Sequence, residues 1–235
     1  LGASASLLTK FKNLNDPRGE QAFMDYDFAQ LTLDEVLADA APNGTPVQQQ
    51  YAYPISMAEY ATTAPTLLLS YHELMFLKAE ALVRLNQKVD AESVLKDAVI
   101  TAFANLERSL HSTDDSYGLG ASIDLSETVA TDYFTNEVLP RFNTDALKET
   151  MLQKYLAFYG ASGEATEAFN DYRRLKALGE ADFIPLENPL NAENKFPLRF
   201  SYGSSDVSAN QNVKAAYGDG SYVYTENVWW AGGTR

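Results

Sequence analysis

Apolar positions along the chain fall into helical spacing in two stretches and lose all periodicity between them. Leu67, Tyr71, Leu74, Met75, Lys78, Leu82 and Leu85 follow a 3.6-residue repeat, which predicts a helix with these positions on one face. Ala91, Val94, Leu95, Ala98, Val99, Ala102, Phe103 and Leu106 continue the i, i+3, i+4, i+7 pattern, so a second helix follows after a short turn, with Asp90 as its N-cap. Helical periodicity resumes from about Glu127 to Val138, stops at Pro140 and restarts near Thr144, with Met151, Leu152, Tyr155, Leu156 and Tyr159 on one face. Gly160 and Gly163 end that helix, and Glu164–Leu178 returns with Ala165, Ala168, Phe169, Tyr172 and Leu175 inward.

The other stretches read as loops. Residues 1–40 predict a helical start, a turn at Asn15-Asp16-Pro17-Arg18-Gly19 and an irregular segment. Pro42, Pro46, Pro54 and Pro65 with Gln48-Gln49-Gln50 exclude a helix over 41–66, and HSTDDSYGLGASIDLSE over 111–127 predicts a second loop. Residues 179–235 form a coil-rich tail that is ordered, because it is too rich in aromatics for a disordered one; it is expected to bury its rings, with Trp229 and Trp230 as anchors.

Within Leu67–Phe103 the small, large and small residues Ala91, Leu95 and Ala98, with Ala79 and Leu82 in the preceding helix, match the spacing of a tetratricopeptide repeat. The expected fold is all-α: tetratricopeptide-like helical hairpins, long irregular loops and the coil-rich tail. The expected organisation is a single domain over 1–235, with a helical-repeat core at about 67–178. It would be the C-terminal part of a larger protein, because one repeat cannot bury its own apolar face.

A net charge of -14 over 235 residues disfavours nucleic acid and anionic lipid surfaces but not neutral ligands such as sugars. The chain has no cysteine, which excludes disulfides, thiolate metal sites and cysteine nucleophiles. No apolar run approaches the roughly 20 residues that span a bilayer. His72 and His111 stand alone, and Asp114, Asp115 and Asp124 match no standard calcium loop. Glu73 and Glu80 lie two turns apart on one helix, the separation of an inverting glycosidase pair, yet Glu80 sits where a repeat faces its neighbour. No catalytic, metal or cofactor site is therefore expected. Flat rings beside amides and carboxylates suit the apolar faces and hydroxyl rims of sugars, so Tyr51, Tyr53 and Tyr117 on the two loops are the ligand-binding candidates. Arg173 and Arg174 are expected to make structural ion pairs.

Four segments together resemble the SusD/RagB family: Asn15-Asp16-Pro17-Arg18, LLLSYHELMFLKAEALVR, KYLAFYG followed by EAFNDYRRL, and Phe196-Pro197-Leu198-Arg199-Phe200 followed by Asn210 and Asn212. Trp229-Trp230 also fits, whereas Gly203 and Asp206 stand where that family commonly has proline and glutamate. The resemblance implies an outer-membrane, cell-surface lipoprotein that binds glycan or another small nutrient and delivers it to a SusC-like TonB-dependent transporter, without catalysis. It also implies that the lipid anchor, which would be the only membrane attachment, lies on an N-terminal half outside this chain. The resemblance assigns no ligand residue here. Two other readings stay open: a helical-repeat scaffold for a protein or peptide, and a glycoside hydrolase.

Overall fold

The structure is a computed structural model that describes residues 2–43, 52–186 and 197–233. It forms two compact units, Leu1–Glu187 and Asn188–Arg235. Among the described residues the fold is all-α apart from one two-stranded ribbon.

The first unit opens with α1 (Ala5–Asn13), whose Leu8 and Phe11 are buried. Asn15 adopts a left-handed backbone (φ 49°) and Pro17–Glu20 form a 3-10 turn, with the Asp16 carboxylate accepting from Arg18 N. The segment read as irregular then contains β1 (Phe23–Met24) and α2 (Leu33–Ala38). Thr32 and Glu35 cap α2 reciprocally, a signal present in the sequence as Thr-x-x-Glu. β1 pairs antiparallel with β2 (Ile55–Ser56), Phe23 opposite Ser56 and Met24 opposite Ile55. Met57–Tyr60 follow as a 3-10 turn.

The repeat hairpin is α3 (Tyr71–Arg84) and α4 (Lys88–Tyr117). Ser70 caps α3, and the start is four residues later than the spacing suggested. The inward face also differs: His72, Glu73, Met75, Phe76, Ala79 and Glu80 are buried, while Tyr71, Leu74, Lys78 and Leu85 are exposed. Apolar periodicity misassigns the face because half of the buried side is polar: His72, Glu73 and Glu80, of which Glu80 pairs with Arg84 and Arg174. In α4 the expected positions do face inward, Val94 being half-buried. Asp90 lies in the first turn rather than at the N-cap, which is Gln87. α4 also runs on to Tyr117, so the loop expected from His111 starts only at Gly118. Buried Leu106, Leu110 and Thr113 keep helical spacing through that polar stretch, and Gly118 ends it at φ 63°.

The next helix does not stop at Pro140. α5 (Glu127–Tyr133) passes through a π-helical turn, Phe134–Val138, into α6 (Leu139–Thr144). The widened turn shifts the hydrogen-bond register just before a nitrogen that has no hydrogen to donate. α7 (Ala146–Ala157), capped by Asp145, packs against α3 and α4.

α8 (Glu167–Leu178) returns as expected, but Ala165 and Phe169 are exposed. Only Leu175 of that set is fully buried, against Met151 and Ile184. Polar contacts hold the helix instead: Lys154 Nζ lies 2.7 Å from Asp171, and Arg174 donates to both Glu80 oxygens at 2.6 and 2.8 Å. Burial pushes the Glu80 carboxyl up, but hydrogen bonds from Arg174 and Arg84 outweigh it and hold the group below the usual carboxylate range. Both arginines are partly exposed, so solvent screening weakens the pairs. Glu80→Gln is expected to cost about 1–2 kcal/mol in urea unfolding, with Arg174→Gln lowering stability in the same direction.

The second unit contains α9 (Ser204–Ala209), α10 (Gln211–Tyr217) and α11 (Tyr222–Thr225), more helix than a coil-rich tail suggests. Tyr222 is buried and its hydroxyl accepts from Tyr202 N at 2.6 Å. Arg199 of the Pro-x-Arg motif lies over its ring, 5.5 Å from the centroid. Of the rings expected to be buried, Tyr222 is, whereas Phe200, Trp229 and Trp230 are exposed at 91, 69 and 70%. The two indoles meet edge to face at 5.8 Å.

Candidate functional site

The tight turn Asp25–Ala29 organises a surface that brings several aromatic rings and carboxylates near one another. Asp25 N donates to Ala29 O at 2.9 Å, and the Asp25 carboxylate accepts from Ala29 N at 2.8 Å. Phe28, inside this turn, is held at φ 67°. A bulky residue in the left-handed region costs of order 1–3 kcal/mol and persists only where its surroundings over-determine it. Here Gln30 supplies part of that constraint, accepting from Ser122 N at 2.8 Å and donating to Ser122 O at 3.0 Å.

Phe28 stacks on Tyr117 (5.3 Å, 19°), and Tyr60 meets both rings edge-on, at 5.7 and 6.3 Å. Tyr117 keeps 44% of its surface exposed. It is placed by the last turn of α4, which is tied to the 3-10 turn carrying Tyr60 through Thr113 Oγ1 donating to Met57 O at 2.7 Å. Two of the three rings are therefore locked to a long helix rather than to a free loop.

Asp25, Tyr26 and Asp27 of the same turn line a cleft of about 410 Å³ with Asp39 and Tyr53. Tyr53 is fixed by close backbone approach: a Cβ on Gly2 would lie 2.5 Å from the Tyr53 Cβ. Ala3 N also donates to Pro54 O at 2.7 Å. Carboxylates accept hydrogen bonds from hydroxyls and repel anions, so this wall suits a neutral polyol.

Of the three sequence candidates, Tyr53 lines this cleft, Tyr117 forms part of the aromatic cluster, and Tyr51 lies outside the described residues. Sequence reasoning missed Tyr26, Phe28 and Tyr60 as partners, because nothing in the spacing shows which positions among 1–66 meet the end of α4. Among the described residues, no group of three or more His, Asp or Glu could hold a metal ion, and no helix is long and apolar enough to cross a membrane. Asp114 accepts from Ala121 N at 2.9 Å and Asp124 from Ser126 N at 3.2 Å, so both carboxylates serve loop structure. His111 is exposed on α4.

Residues 2–203 match a SusD-like family described as starch-binding and associating with the outer membrane. The chain belongs to this SusD-like family. A crystal structure of a SusD/RagB family protein from Bacteroides thetaiotaomicron is similar to it at 52% identity and a TM-score of 0.85. That match covers 100% of this chain and 50% of the other, so the chain spans half the length of that relative. No curated protein matches the chain.

The family membership accounts for the motifs that the site leaves unused. The Asp16-Pro17-Arg18 turn of this SusD-like chain is buried, with Arg18 Nη2 2.5 Å from Asp16 Oδ2 and the guanidinium 4.8 Å from the Phe103 ring centroid. Ala79-Glu80-Ala81 places Glu80 for its arginines. Both motifs hold the framework that positions α4, and with it Tyr117.

Proposed function

We propose that this SusD-like protein captures glycan at the bacterial cell surface without chemical turnover and delivers it to a SusC-like TonB-dependent transporter. Its attachment to the outer membrane would be a lipid anchor on a segment outside this chain. The observation that supports ligand capture best is the Phe28–Tyr60–Tyr117 cluster, a rigid ring platform beside a carboxylate-lined cleft. Stacking supplies apolar contact to a sugar face, and Asp25, Asp27 and Asp39 accept from its hydroxyls. The starch binding in the family's description makes α-glucans the first ligands to try. The non-enzymatic reading draws support from Glu80, whose lone pairs are taken by Arg84 and Arg174.

A glycan array followed by product analysis on the full-length protein tests this reading. Saturable binding with little salt dependence and no released sugar is expected, because a neutral ligand releases no counterions. Binding to no glycan would remove the capture reading, and hydrolysed product would remove the non-enzymatic one.

A further inference from the structure

A cavity of about 440 Å³ lies between the chain from Ser56 to Thr66 and the turn from Phe158 to Ala165, with Ser109 of α4 also in its wall. It shares no lining residue with the cleft at Asp25 and Tyr53, and none of Phe28, Tyr60 and Tyr117 lines it. Its size falls within the range of small-molecule sites. Both walls are fastened. Thr63 Oγ1 hydrogen-bonds Ser112 Oγ, and Thr62 Oγ1 meets Ser116 Oγ at 3.4 Å, which ties one wall to α4. On the other wall, Glu164 accepts from the backbone N–H of Ser70. Gly160 adopts φ 74°, and a Cβ there would lie 2.7 Å from Leu106 Cδ1 and 3.2 Å from Ala58 Cβ, so the turn closes on this wall because the residue is glycine. Ser162, which lines the cavity, is also left-handed at φ 56°, where a non-glycine residue is uncommon. Such strained residues cluster at ligand sites.

The protons in the wall are already committed. The Tyr159 hydroxyl donates its one proton to Ala22 O at 3.1 Å, so the Ser56 hydroxyl, 2.7 Å away, donates to Tyr159. Ser109 Oγ donates to Asn105 O at 3.3 Å. Both serines are buried, and each keeps lone pairs but has no proton left to give. Glu59 adds an exposed carboxylate at the rim. A ligand must therefore bring the donors. Among the described residues lining the cavity none is lysine, arginine or histidine, so an anion would meet no counter-charge. A cation would leave its charge uncompensated beside buried Phe158, because the one carboxylate lies at the rim. We propose that this cavity is a second binding site, which takes one ring of a neutral sugar or a similarly compact polyol through its hydroxyl donors. The assignment does not depend on the ring platform or on the glycan-capture reading.

The test uses full-length protein carrying Tyr117→Ala, which removes the platform and keeps the cavity. Glucose, galactose and mannose are titrated by saturation-transfer NMR, each beside its fully O-methylated form, which keeps the ring and its acceptors but has no hydroxyl donor. Saturable binding of at least one free sugar is expected, with no binding of its methylated form. Ser109→Ala, which removes one acceptor, should weaken that binding by about threefold or more. Ala165→Trp, which fills the cavity from its exposed rim, should abolish it. Binding to none of the three sugars would overturn the proposal, even where an oligosaccharide still binds the parent protein. Equal binding of a methylated form would overturn the donor argument and the proposal with it. Binding that survives Ala165→Trp would place the sugar elsewhere and also overturn it. Should Ser109→Ala fail to fold, Ala165→Trp and the methylated sugars decide the question.

Discussion

Arg18→Ala is expected to cost about 3–5 kcal/mol, the loss that follows when one partner of a buried ion pair is removed. Total stabilities run to about 5–15 kcal/mol, so the variant would unfold at far lower urea or temperature than the parent, as circular dichroism of the full-length protein would show. Arg18 and Asp16 are each only 2% exposed. Arg18 Nε donates to Asp16 Oδ1 at 2.9 Å, and the guanidinium also faces the rings of Phe103 and Phe11. Alanine leaves the Asp16 carboxylate with no counter-charge in an apolar setting. Arg18→Lys should recover little, because a point charge cannot reproduce the planar fork or its stacking. Removing both charges together, in Asp16→Ala/Arg18→Met, should cost less than the two single losses summed. A shift below about 1 kcal/mol for Arg18→Ala would mean that water reaches the pair.

Acidification is expected to destabilise the fold through His72 in a defined window. The ring is 1% exposed, and Asn105 Nδ2 donates to its Nδ1 at 2.9 Å. The proton of the neutral ring then sits on Nε2, 3.8 Å from Glu164 Oε2. A carboxylate at that distance favours the charged ring, but 3.8 Å is too long for a hydrogen bond. Burial, with the positive charge of Arg18, pushes the imidazole down to about 4. Between the unfolded value near 6.5 and that folded value, the unfolded chain takes up a proton and the native one does not. His72 therefore contributes stability that is complete above about pH 6.5 and falls as pH drops toward 4, by about 3 kcal/mol in all. Glu80, held low, loses stability on acidification too, whereas burial raises Glu149 and Glu73, which act with the opposite sign. The difference between the parent and His72→Gln isolates the histidine. On going from about pH 7 to about pH 4.5, the urea midpoint should fall less in the variant, and parallel declines in both proteins would contradict the assignment.

How much of this was legible beforehand depended on what signals the sequence can hold. α4 could be read residue by residue because its buried face is wholly apolar over the stretch that carries the repeat. α3 could be located but not oriented, since His72, Glu73 and Glu80 form half of its inner face, and Asn105 and Glu164 beside His72 and Arg174 on Glu80 lie far off in the chain. β1 and β2 are two residues each, too short for an alternating pattern to register. The π-helical turn before Pro140 hid a continuous helix behind a residue that ordinarily ends one. At the site, Tyr53 and Tyr117 could be named as aromatic candidates. That Phe28 and Tyr60 join Tyr117, and that Asp25 and Asp27 join Tyr53, could not, because these follow from tertiary contacts through Gln30, Thr113 and Ala3.

The central claim, that the Phe28–Tyr60–Tyr117 cluster captures glycan, is tested most directly by calorimetric titration of an α-glucan oligosaccharide into the full-length protein. Tyr117→Ala would be titrated alongside Trp229→Ala, an exposed aromatic outside the cluster. Tyr117→Ala is expected to weaken binding by tenfold or more, about 1.4 kcal/mol or above, with Trp229→Ala unchanged and thermal stability of both preserved. Binding that survives Tyr117→Ala intact would contradict the placement of the site.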